Sequence, residues 1–339
     1  MKGFDLFSGI GGFHEGAKNL LKENFQAVAF CDFDEKSRIA YRSAYKDQAI
    51  IEFDDVNNIT GELSSTILSS KKKSDINNIL PDFDILFGGF PCQPFSSMGK
   101  GKGFGDDRGV LFFNIEMILK AKKPKYFILE NVRGLMNIQN GEVMSYIMKS
   151  LERMGYQSTY WLLNAADYGV PQTRRRVFIV GELDGNNINI NPNTPPPKIP
   201  TYRRRIKSVK ELLSMDVDSK YYLSEKIKKT ILSDGTGGYK YKSQINMDPA
   251  RPLTYTMHKM HIASQDNYYS DEYIKGGSKN RIRRITPYEA LLIQGFKKNT
   301  SKRIVNTGLS DTQLYKLAGN AVSPAVVKEV MRHLLNFKS

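Results

Sequence analysis

The sequence contains few of the residues that form disulfides or bind zinc. It has only two cysteines, Cys31 and Cys92, in 339 residues. This excludes a disulfide framework and any zinc site built from several cysteines. Its four histidines are scattered and show no metal-ligand spacing, so we predict no metal site.

Long hydrophobic runs are also missing. No stretch of about 18 apolar residues occurs, and the N-terminal segment Met1–Asp5 has no hydrophobic signal region. Hydrophobic residues make up 40% and charged residues 25% of the chain, which is the composition of a soluble globular protein. We therefore predict a cytoplasmic protein without a membrane partner.

Acidic residues are outnumbered. The chain has 35 Asp and Glu against 50 Lys and Arg, a net charge of +15. A basic surface favours a polyanionic partner, most often nucleic acid, although it also serves solubility alone. Residues 182–284 carry more than half of this excess and include Tyr202–Lys207 and the aromatic, Lys-rich Gly237–Lys242. We expect the partner to contact this region through phosphates and bases.

The segment Gly88-Gly-Phe-Pro-Cys-Gln-Pro-Phe-Ser-Ser97 surrounds Cys92 and follows an apolar stretch, Phe83–Phe87, that predicts a buried strand. The flanking prolines exclude a helix or strand interior. Cys92 is therefore predicted just past the carboxyl end of a strand, where ligands collect in open α/β sheets. A free cysteine is more often a small buried hydrophobic residue, but this setting favours a functional role.

The N-terminal stretch Phe4-Asp-Leu-Phe-Ser-Gly-Ile-Gly-Gly12 predicts a strand and a glycine turn, followed by a helix over Phe13–Lys22. It lacks the third glycine of a dinucleotide fingerprint, with His14 at that place. The glycines still allow a ligand to approach the backbone at the helix N-terminus. Asp32 follows the next strand and suits a ribose diol, while Asp34 is the predicted N-cap of the following helix.

Strands and helices alternate through residue 181, which predicts an α/β fold with a doubly wound, mostly parallel sheet. The polar residues 59–82 are predicted to be a surface excursion. A strand over Lys125–Leu129 should deliver Glu130–Gly134 at its carboxyl end. The Asn- and Pro-rich residues 186–197 predict a domain boundary, and a last helix is predicted over Ala325–Leu335.

Six blocks in order carry a family resemblance. They are Asp-Leu-Phe-Ser-Gly-Ile-Gly-Gly, Gly-Phe-Pro-Cys-Gln, Glu-Asn-Val, Gln-Thr-Arg-Arg-Arg, Arg-Ile-Thr-Pro-Tyr-Glu with Gln-Gly-Phe, and Gly-Asn-Ala-Val-Ser-Pro. Together they resemble the bacterial cytosine-C5 DNA methyltransferases. The resemblance implies a Rossmann-like catalytic and cofactor domain formed by residues 1–184 and 315–339. Residues 185–314 would form a smaller, irregular target-recognition domain.

The resemblance also implies catalytic roles. Cys92 would add to C6 of a flipped-out cytosine, and Glu130 would hold a proton at ring N3. Arg176 would contact the base oxygen, Arg174 would help hold the site, and Asn131 would brace the cysteine loop.

The implied methyl donor is S-adenosylmethionine, released as S-adenosylhomocysteine. Asp32 would bind its ribose, Phe33 would stack on its adenine, and Asp55 with Val56 would contact the adenine edge. The full predicted set is Phe7, Ser8, Gly9, Ile10, Gly11, Gly12, Asp32, Phe33, Asp55, Val56, Gly89, Leu111, Asn320 and Ala321. Asp32 replaces a frequent Glu and Ala321 a frequent Ser, and we expect both changes to be tolerated. The last helix should pack beside the first.

Double-stranded DNA with a specific target sequence is the implied substrate. The predicted DNA-contacting residues are Gln93, Ser96, Lys100, Arg204, Thr254 and Lys259. The loop Met98–Gly105 should act as a mobile flap over DNA. We expect a monomer, and the resemblance leaves open a cognate restriction endonuclease.

Three other functions are compatible with parts of the sequence. A tRNA cytosine-C5 methyltransferase would share the catalytic blocks but would have a smaller variable region. A DNA-binding regulator with a dead site would not need Cys92, Glu130 and the arginine block. A nicotinamide oxidoreductase would explain only the glycine loop.

Overall fold

The computed structural model describes residues 1–61, 70–91, 110–199, 208–233, 235–236, 239–240, 244–259, 266–276 and 281–337. Within these residues the chain forms a central sheet with helices on both faces. A region rich in short elements follows residue 184.

The central sheet has seven strands, in the order β3-β2-β1-β4-β5-β7-β6. They are β1 Lys2–Leu6, β2 Gln26–Cys31, β3 Ile51–Phe53, β4 Ile85–Gly89, β5 Tyr126–Val132, β6 Tyr156–Asn164 and β7 Arg175–Leu183. Strands β1 to β5 pair in parallel, whereas β7 is antiparallel to both β5 and β6. The prediction of a doubly wound, mostly parallel sheet is confirmed.

The helices that flank this sheet are α1 Gly12–Leu21, α2 Glu35–Ala44, α3 Asn57–Thr60, α4 Ser70–Ile79, α5 Val110–Lys122 and α6 Glu142–Arg153. The elements after the sheet are α7 Glu225–Leu232, β8 Gly235–Thr236, β9 Tyr239–Lys240, β10 Tyr268–Ser270, α8 Asp271–Lys275, β11 Ile282–Arg284, α9 Pro287–Gln294, α10 Lys298–Val305, α11 Asp311–Asn320 and α12 Pro324–Leu334.

Strand β4 shows how the two faces of the sheet are covered. Leu86 packs in a buried cluster with side chains of α5 and α6. Its neighbours Ile85 and Phe87 pack in a second cluster with α1 and α12. Successive strand residues point to opposite faces, so a continuous apolar run fits a sheet that is buried on both sides.

Helices α1 and α12 lie in close contact, as the sequence predicted. A Cβ placed on Gly12 would lie 2.3 Å from the Val322 carbonyl oxygen, and one on Gly16 would lie 2.6 Å from Val327 Cβ. Only glycine permits this approach, so the end of the chain is held beside the first glycine turn.

The predicted domain boundaries stay a prediction, but contacts cross them. Glu15 in α1 accepts hydrogen bonds from Lys297 N at 3.1 Å and Thr300 Oγ1 at 3.1 Å. Ser43 Oγ in α2 donates to Arg303 O at 2.8 Å. Helix α10 is thus attached to α1 and α2, two helices that flank the central sheet.

The Asn-rich segment after β7 is anchored to helix α12. Asn187 Nδ2 donates to Leu334 O at 2.8 Å, and Asn189 Nδ2 donates to His333 O at 2.9 Å. These bonds add acceptor contacts at the C-terminal end of α12, where the regular intrahelical hydrogen bonds end. Trp161 Nε1 also donates to Asn191 O at 2.9 Å.

Two local predictions need correction. The polar residues 59–82 are not only a surface excursion, because the described part contains α4, where Ile76 is buried in the core. Strand β5 runs to Val132 rather than ending at Leu129, so Glu130 and Asn131 lie inside the paired strand. The Asp34 cap is confirmed, since its side chain accepts from Lys36 N.

None of the helices in the described part of the chain is both long and apolar enough to cross a membrane.

His14 lies in a buried aromatic cluster between α1 and α2. Its Nδ1 is 2.9 Å from Tyr41 Oη, and its ring stacks on Tyr45 with centroids 3.7 Å apart. Burial, with a smaller contribution from Lys18, lowers the pKa of His14 to about 3.

We predict that His14 makes the fold acid-sensitive. The pKa of His14 is lower in the folded chain than in the unfolded chain, where it is about 6.5. The buried neutral ring therefore contributes fully to the free energy of unfolding only above about pH 6.5. This contribution is lost as the pH falls, by up to about 1.4 kcal/mol per pH unit. Urea unfolding at pH 7 and pH 5 should show a smaller loss of stability for His14→Asn than for the wild type. The control His333→Asn should behave as wild type; equal losses in all three proteins would contradict the prediction.

Candidate active site

The carboxyl ends of four parallel strands meet at one edge of the sheet. Leu6 at the end of β1 pairs with Cys31 of β2 on one side and with Gly88 of β4 on the other. Gly89 pairs in turn with Glu130 of β5. Since β1 lies where the strand order reverses, this edge is the expected ligand-binding crevice.

Glu130 and Arg176 form an ion pair at this edge. Arg176 Nε lies 3.1 Å from Glu130 Oε1. In the antiparallel pairing of β5 and β7, Arg176 lies opposite Val132, two residues along β5 from Glu130. Burial raises the pKa of Glu130, while Arg176 and, less strongly, Arg174 oppose the rise. A buried carboxyl with a raised pKa can hold a proton that an exposed one would lose.

Gly89 joins Glu130 to the glycine turn. A Cβ on Gly89 would lie 3.8 Å from Glu130 Oε2 and 4.0 Å from Phe7 O. Gly89 therefore lies between the carboxyl group and the loop that follows β1, at van der Waals distance from both.

Asn131 fixes the backbone that leads into the predicted cysteine loop. Its Nδ2 donates to Phe90 O at 2.9 Å, and its Oδ1 accepts from Val132 N at 2.8 Å. Asn131 is itself buried. This places the anchor two residues before Cys92, which lies outside the described residues.

The glycine turn between β1 and α1 is held at several points. Ser8 N donates to Cys31 O at 3.0 Å, and Gly11 N donates to Ser8 O at 2.9 Å. Phe7, Gly9 and Gly11 all have positive φ, of 55°, 53° and 82°. Such values favour glycine and are strained at Phe7.

Helix α2 supports the same turn through Tyr45. Its hydroxyl donates to Gly11 O at 2.7 Å, and a Cβ on Gly11 would lie 2.3 Å from the Tyr45 ring. Gly11 is therefore required both for its φ and for the space that the tyrosine ring occupies.

Asp32 connects the turn to the end of β2. Its Oδ2 accepts from Gly9 N at 2.7 Å and its Oδ1 from Asp34 N at 2.9 Å. Burial raises the pKa of Asp32, and the hydrogen bonds from Gly9 and Asp34 oppose that rise. Next to it Phe33 is 82% exposed, which is unusual for a phenylalanine that lies at a sheet edge.

Two further predicted cofactor residues follow β3. Asp55 Oδ1 accepts from Asn57 N at 2.8 Å, which fixes its carboxylate at the start of α3. Val56 is buried. Leu111, in α5, packs against the core cluster on the same side of the sheet.

These residues fit S-adenosylmethionine. The Asp32 carboxylate accepts two backbone N–H groups and a side-chain hydrogen bond from Ser37, and its roughly four acceptor sites leave room for a ribose hydroxyl. Ser8 Oγ is buried with no hydrogen-bond partner among the described residues, and a Cβ on Gly9 would meet nothing within 4 Å. The turn thus offers both an unused polar atom and open space, while Phe33 offers an aromatic face.

Arg174 lies in the protein interior and contacts main-chain carbonyls. Its Nη1 donates to Leu253 O at 2.7 Å, and its Nη2 donates to Gly319 O and Ala321 O, both at 3.0 Å. Burial, with Arg176 nearby, lowers the pKa of Arg174, while Glu130 raises it. Its geometry suits holding three segments together rather than contacting a base.

Of the predicted DNA-contacting residues, Thr254 and Lys259 lie within the part of the chain that the structure describes. Thr254 starts the 3-10 turn Tyr255–His258, and the exposed Lys259 follows that turn. Asn320 is exposed at the end of α11, whereas Ala321 is buried. Cys92, Gln93, Ser96, Lys100, Arg204 and the predicted flap Met98–Gly105 lie outside the described residues.

Sequence reasoning gave no role to Gln172 or Tyr45. Gln172 is buried; its Oε1 accepts from Leu253 N at 2.9 Å and its Nε2 donates to Gln294 Oε1 at 3.0 Å. Its place at the head of the Gln-Thr-Arg-Arg-Arg block was the only signal for it. Tyr45 had none, because its bond to Gly11 spans 34 residues.

Cys31, which lies within the described residues, lacks the exposure and the lowered thiol pKa of a nucleophilic cysteine. Cys31 is buried in β2, and burial, with Asp32, raises the pKa of its thiol. The described part of the chain contains no group of three His, Cys, Asp or Glu residues that could hold a metal ion.

Comparisons with known proteins agree with one another. Residues 1–336 match the profile described as C-5 cytosine-specific DNA methylase. The Type II methyltransferase M.HaeII of Haemophilus aegyptius is 34% identical over 337 residues, covering 99% of this chain and 93% of the relative. For M.NgoBI of Neisseria gonorrhoeae the identity is 35% over 336 residues, with 96% and 90% coverage.

Among solved structures, the Dnmt2 methyltransferase of S. pombe superposes with a TM-score of 0.73 over 99% of this chain and 98% of its own, at 18% identity. A putative DNA modification methyltransferase from an E. coli prophage gives a TM-score of 0.69 at 20% identity, with 99% of each chain covered. At these identities the likeness concerns the fold alone.

We predict that Asn131→Leu lowers the methyl-transfer rate, because it removes the donor to Phe90 O and frees the backbone before Cys92. A displacement of about 1 Å at a reacting group costs on the order of 100-fold in rate. Steady-state kinetics should show a lower kcat while S-adenosylmethionine affinity, measured by calorimetry, is retained. The exposed Asn299→Leu is the control; an unchanged kcat in Asn131→Leu would contradict the proposed anchoring role.

Proposed function

This chain belongs to the C-5 cytosine-specific DNA methylase family, and we propose that it methylates C5 of a cytosine flipped out of a specific duplex DNA sequence. In this proposal Cys92 forms a transient covalent bond with C6 of that cytosine. The chain is an enzyme of the DNA cytosine methyltransferase class. The cofactor implied for this family is S-adenosylmethionine.

The observation that carries this proposal is the ion pair at the end of β5 between the buried Glu130 and the partly buried Arg176. Glu130, whose pKa is raised by burial, lies 3.1 Å from Arg176, and its Oε2 would be 3.8 Å from a Cβ on Gly89. One group can keep a proton near a ring nitrogen while the other binds a carbonyl oxygen. Cytosine N3 and O2 present that pair of acceptors on adjacent ring positions.

The reaction needs a nucleophile because cytosine C5 is a poor carbon nucleophile by itself. The Cys92 thiolate adds to C6 and forms an S–C6 bond, and the C5–C6 π electrons become available at C5. C5 then takes the methyl group. Loss of the C5 proton to a base and cleavage of the S–C6 bond restore the ring double bond and the thiolate.

Glu130 controls charge during the addition. As electrons move into the ring, a proton shared between Glu130 and N3 prevents negative charge from accumulating there. Arg176 holds the adjacent oxygen and orients the ring. Arg174 acts indirectly, by fixing the segment that leads into β7.

S-adenosylmethionine would supply the methyl group as an electrophile, and cleavage of its methyl–sulfur bond would leave S-adenosylhomocysteine. Asp32 would bind the ribose diol, Phe33 would cover the adenine, and Ser8 with the glycine turn would hold the methionine end. We carry over the remaining predicted positions, including Asp55, Val56, Leu111, Asn320 and Ala321, on the same basis. Asn131 would keep the Cys92 loop facing this group.

Duplex DNA is the proposed substrate, and target readout is assigned to residues 185–314, with Thr254 and Lys259 at the DNA surface. The cytosine must leave the helix, since its C6 is shielded by stacking in the duplex. The relatives M.HaeII and M.NgoBI are named Type II methyltransferases. By analogy, we propose that this chain protects a recognition sequence from a cognate endonuclease.

We predict that Cys92→Ala abolishes methyl transfer to duplex DNA. The loss should exceed about 1,000-fold, because no other group supplies the nucleophile. Cys31→Ala is the matched control and should stay active, since that thiol is buried in β2. Bisulfite sequencing of DNA from cells that express each protein identifies the methylated sequence; methylation by Cys92→Ala, or methylation of tRNA but not DNA by the wild type, would contradict the proposal.

We predict that Glu130→Gln lowers kcat by about 100- to 10,000-fold, the usual contribution of a positioned acid. The amide fills the same space but cannot give a proton to N3. The measurement is single-turnover transfer of a labelled methyl group, with S-adenosylmethionine affinity as the check on folding. Glu142→Gln, at the start of α6, serves as control; a rate within threefold of wild type in Glu130→Gln would exclude the role.

A further inference from the structure

Tyr255 is a large aromatic side chain that the fold leaves exposed. It opens the 3-10 turn Tyr255–His258 and is 46% exposed. The neighbouring Leu253 and Met257 are buried, so the turn is packed against the protein while Tyr255 faces outward.

The backbone beneath Tyr255 is fixed from two sides. A Cβ on Gly319 of α11 would lie 2.3 Å from the carbonyl carbon and oxygen of Thr254 and 2.6 Å from Tyr255 N. The backbone of α11 and the backbone at Thr254 are therefore in direct contact. Leu253 N donates to Gln172 Oε1 at 2.9 Å, and Leu253 O accepts from Arg174 Nη1 at 2.7 Å.

These bonds relate Tyr255 to the reactive edge. Arg174 is two residues from Arg176, which pairs with Glu130 at 3.1 Å. The buried guanidinium of Arg174 therefore connects the start of β7 to Leu253, two residues before Tyr255. The backbone that carries the ring is thus fixed to the segment that carries Arg176, and the ring does not lie on a free loop.

The surroundings of the ring are cationic and aromatic. Lys316 Nζ lies 5.5 Å from the centroid of the Tyr255 ring, and the His258 ring packs edge-on with centroids 5.6 Å apart. Lys259 follows and is exposed. The Lys316 ammonium lies over the Tyr255 ring, and an exposed aromatic ring beside an ammonium group suits a nucleic acid, in which bases stack on the ring and phosphates meet the cation.

We propose that the Tyr255 ring stacks on the bases exposed when the target cytosine leaves the duplex, and that Lys316 contacts a phosphate beside them. This inference rests on the proposed function, since it assigns a partner to the extrahelical state of that reaction. Flipping removes stacking from the duplex. An aromatic ring on a fixed turn would replace part of that stacking, at a smaller entropy loss than a side chain on a flexible loop.

The test uses a duplex with the sequence found by bisulfite sequencing and 2-aminopurine in place of the target cytosine. This base fluoresces strongly once it leaves the stack. Tyr255→Ala should reduce the flipped population of this duplex, and the single-turnover methylation rate of the matching duplex that keeps the target cytosine, by about 5- to 150-fold, the range for loss of one base–aromatic stack. Tyr255→Phe should restore both, because it keeps the ring.

Phe337→Ala removes an exposed aromatic ring of similar size at the far end of the chain and should leave both values unchanged. Lys316→Gln should reduce the slope of log affinity against log salt by about 0.9, as for one lost phosphate contact, whereas the exposed Lys149→Gln on α6 should not.

A flipped population in Tyr255→Ala equal to that of the wild type would overturn the stacking role. Failure of Tyr255→Phe to restore the flipped population would also overturn it. An unchanged salt slope in Lys316→Gln would overturn the phosphate contact. A wild-type protein that neither flips nor methylates DNA would instead refute the proposed function, which the Cys92→Ala comparison tests separately.

Discussion

The ion pair between Glu130 and Arg176 is the interaction on which the site depends. It requires β7 to run antiparallel beside β5, so that one strand leaves the carboxyl edge while the other enters it. Burial raises the pKa of Glu130, and the arginine prevents the carboxyl from being an isolated buried charge. A polar pair is thereby kept in a desolvated crevice, where it acts more strongly on a bound base than it would in water.

The position of Arg176 in turn depends on distant parts of the chain. Arg174 and Gln172 are buried and bind main-chain groups of Leu253, Gly319 and Ala321. A change in any of these segments is transmitted to the start of β7, because buried polar groups must keep their partners. Leu253 and α10, which lie in the proposed target-recognition region, are in this way joined by hydrogen bonds to Arg174 and to helices α1 and α2.

Much of the architecture was predictable because it follows from local rules. The glycine turn, the Asp34 cap and the alternation of strands and helices are set by nearby residues. The Asn-rich segment was not predictable as an anchor. Asn187 and Asn189 bind carbonyls that lie 147 and 144 residues away in the sequence. Composition cannot distinguish such an anchor from a free linker. The carbonyl partners of Arg174 were hidden for the same reason.

The most direct test of the account is the identity of the residue that attacks the base. A duplex with 5-fluorocytosine at the target position should trap the enzyme, because fluorine at C5 cannot leave as a proton does. Digestion and mass spectrometry of the trapped complex should then place the nucleotide, with an added methyl group, on the peptide that contains Cys92. Attachment to the peptide that contains Cys31, or efficient methylation of ordinary duplex without any trapped complex, would contradict the account.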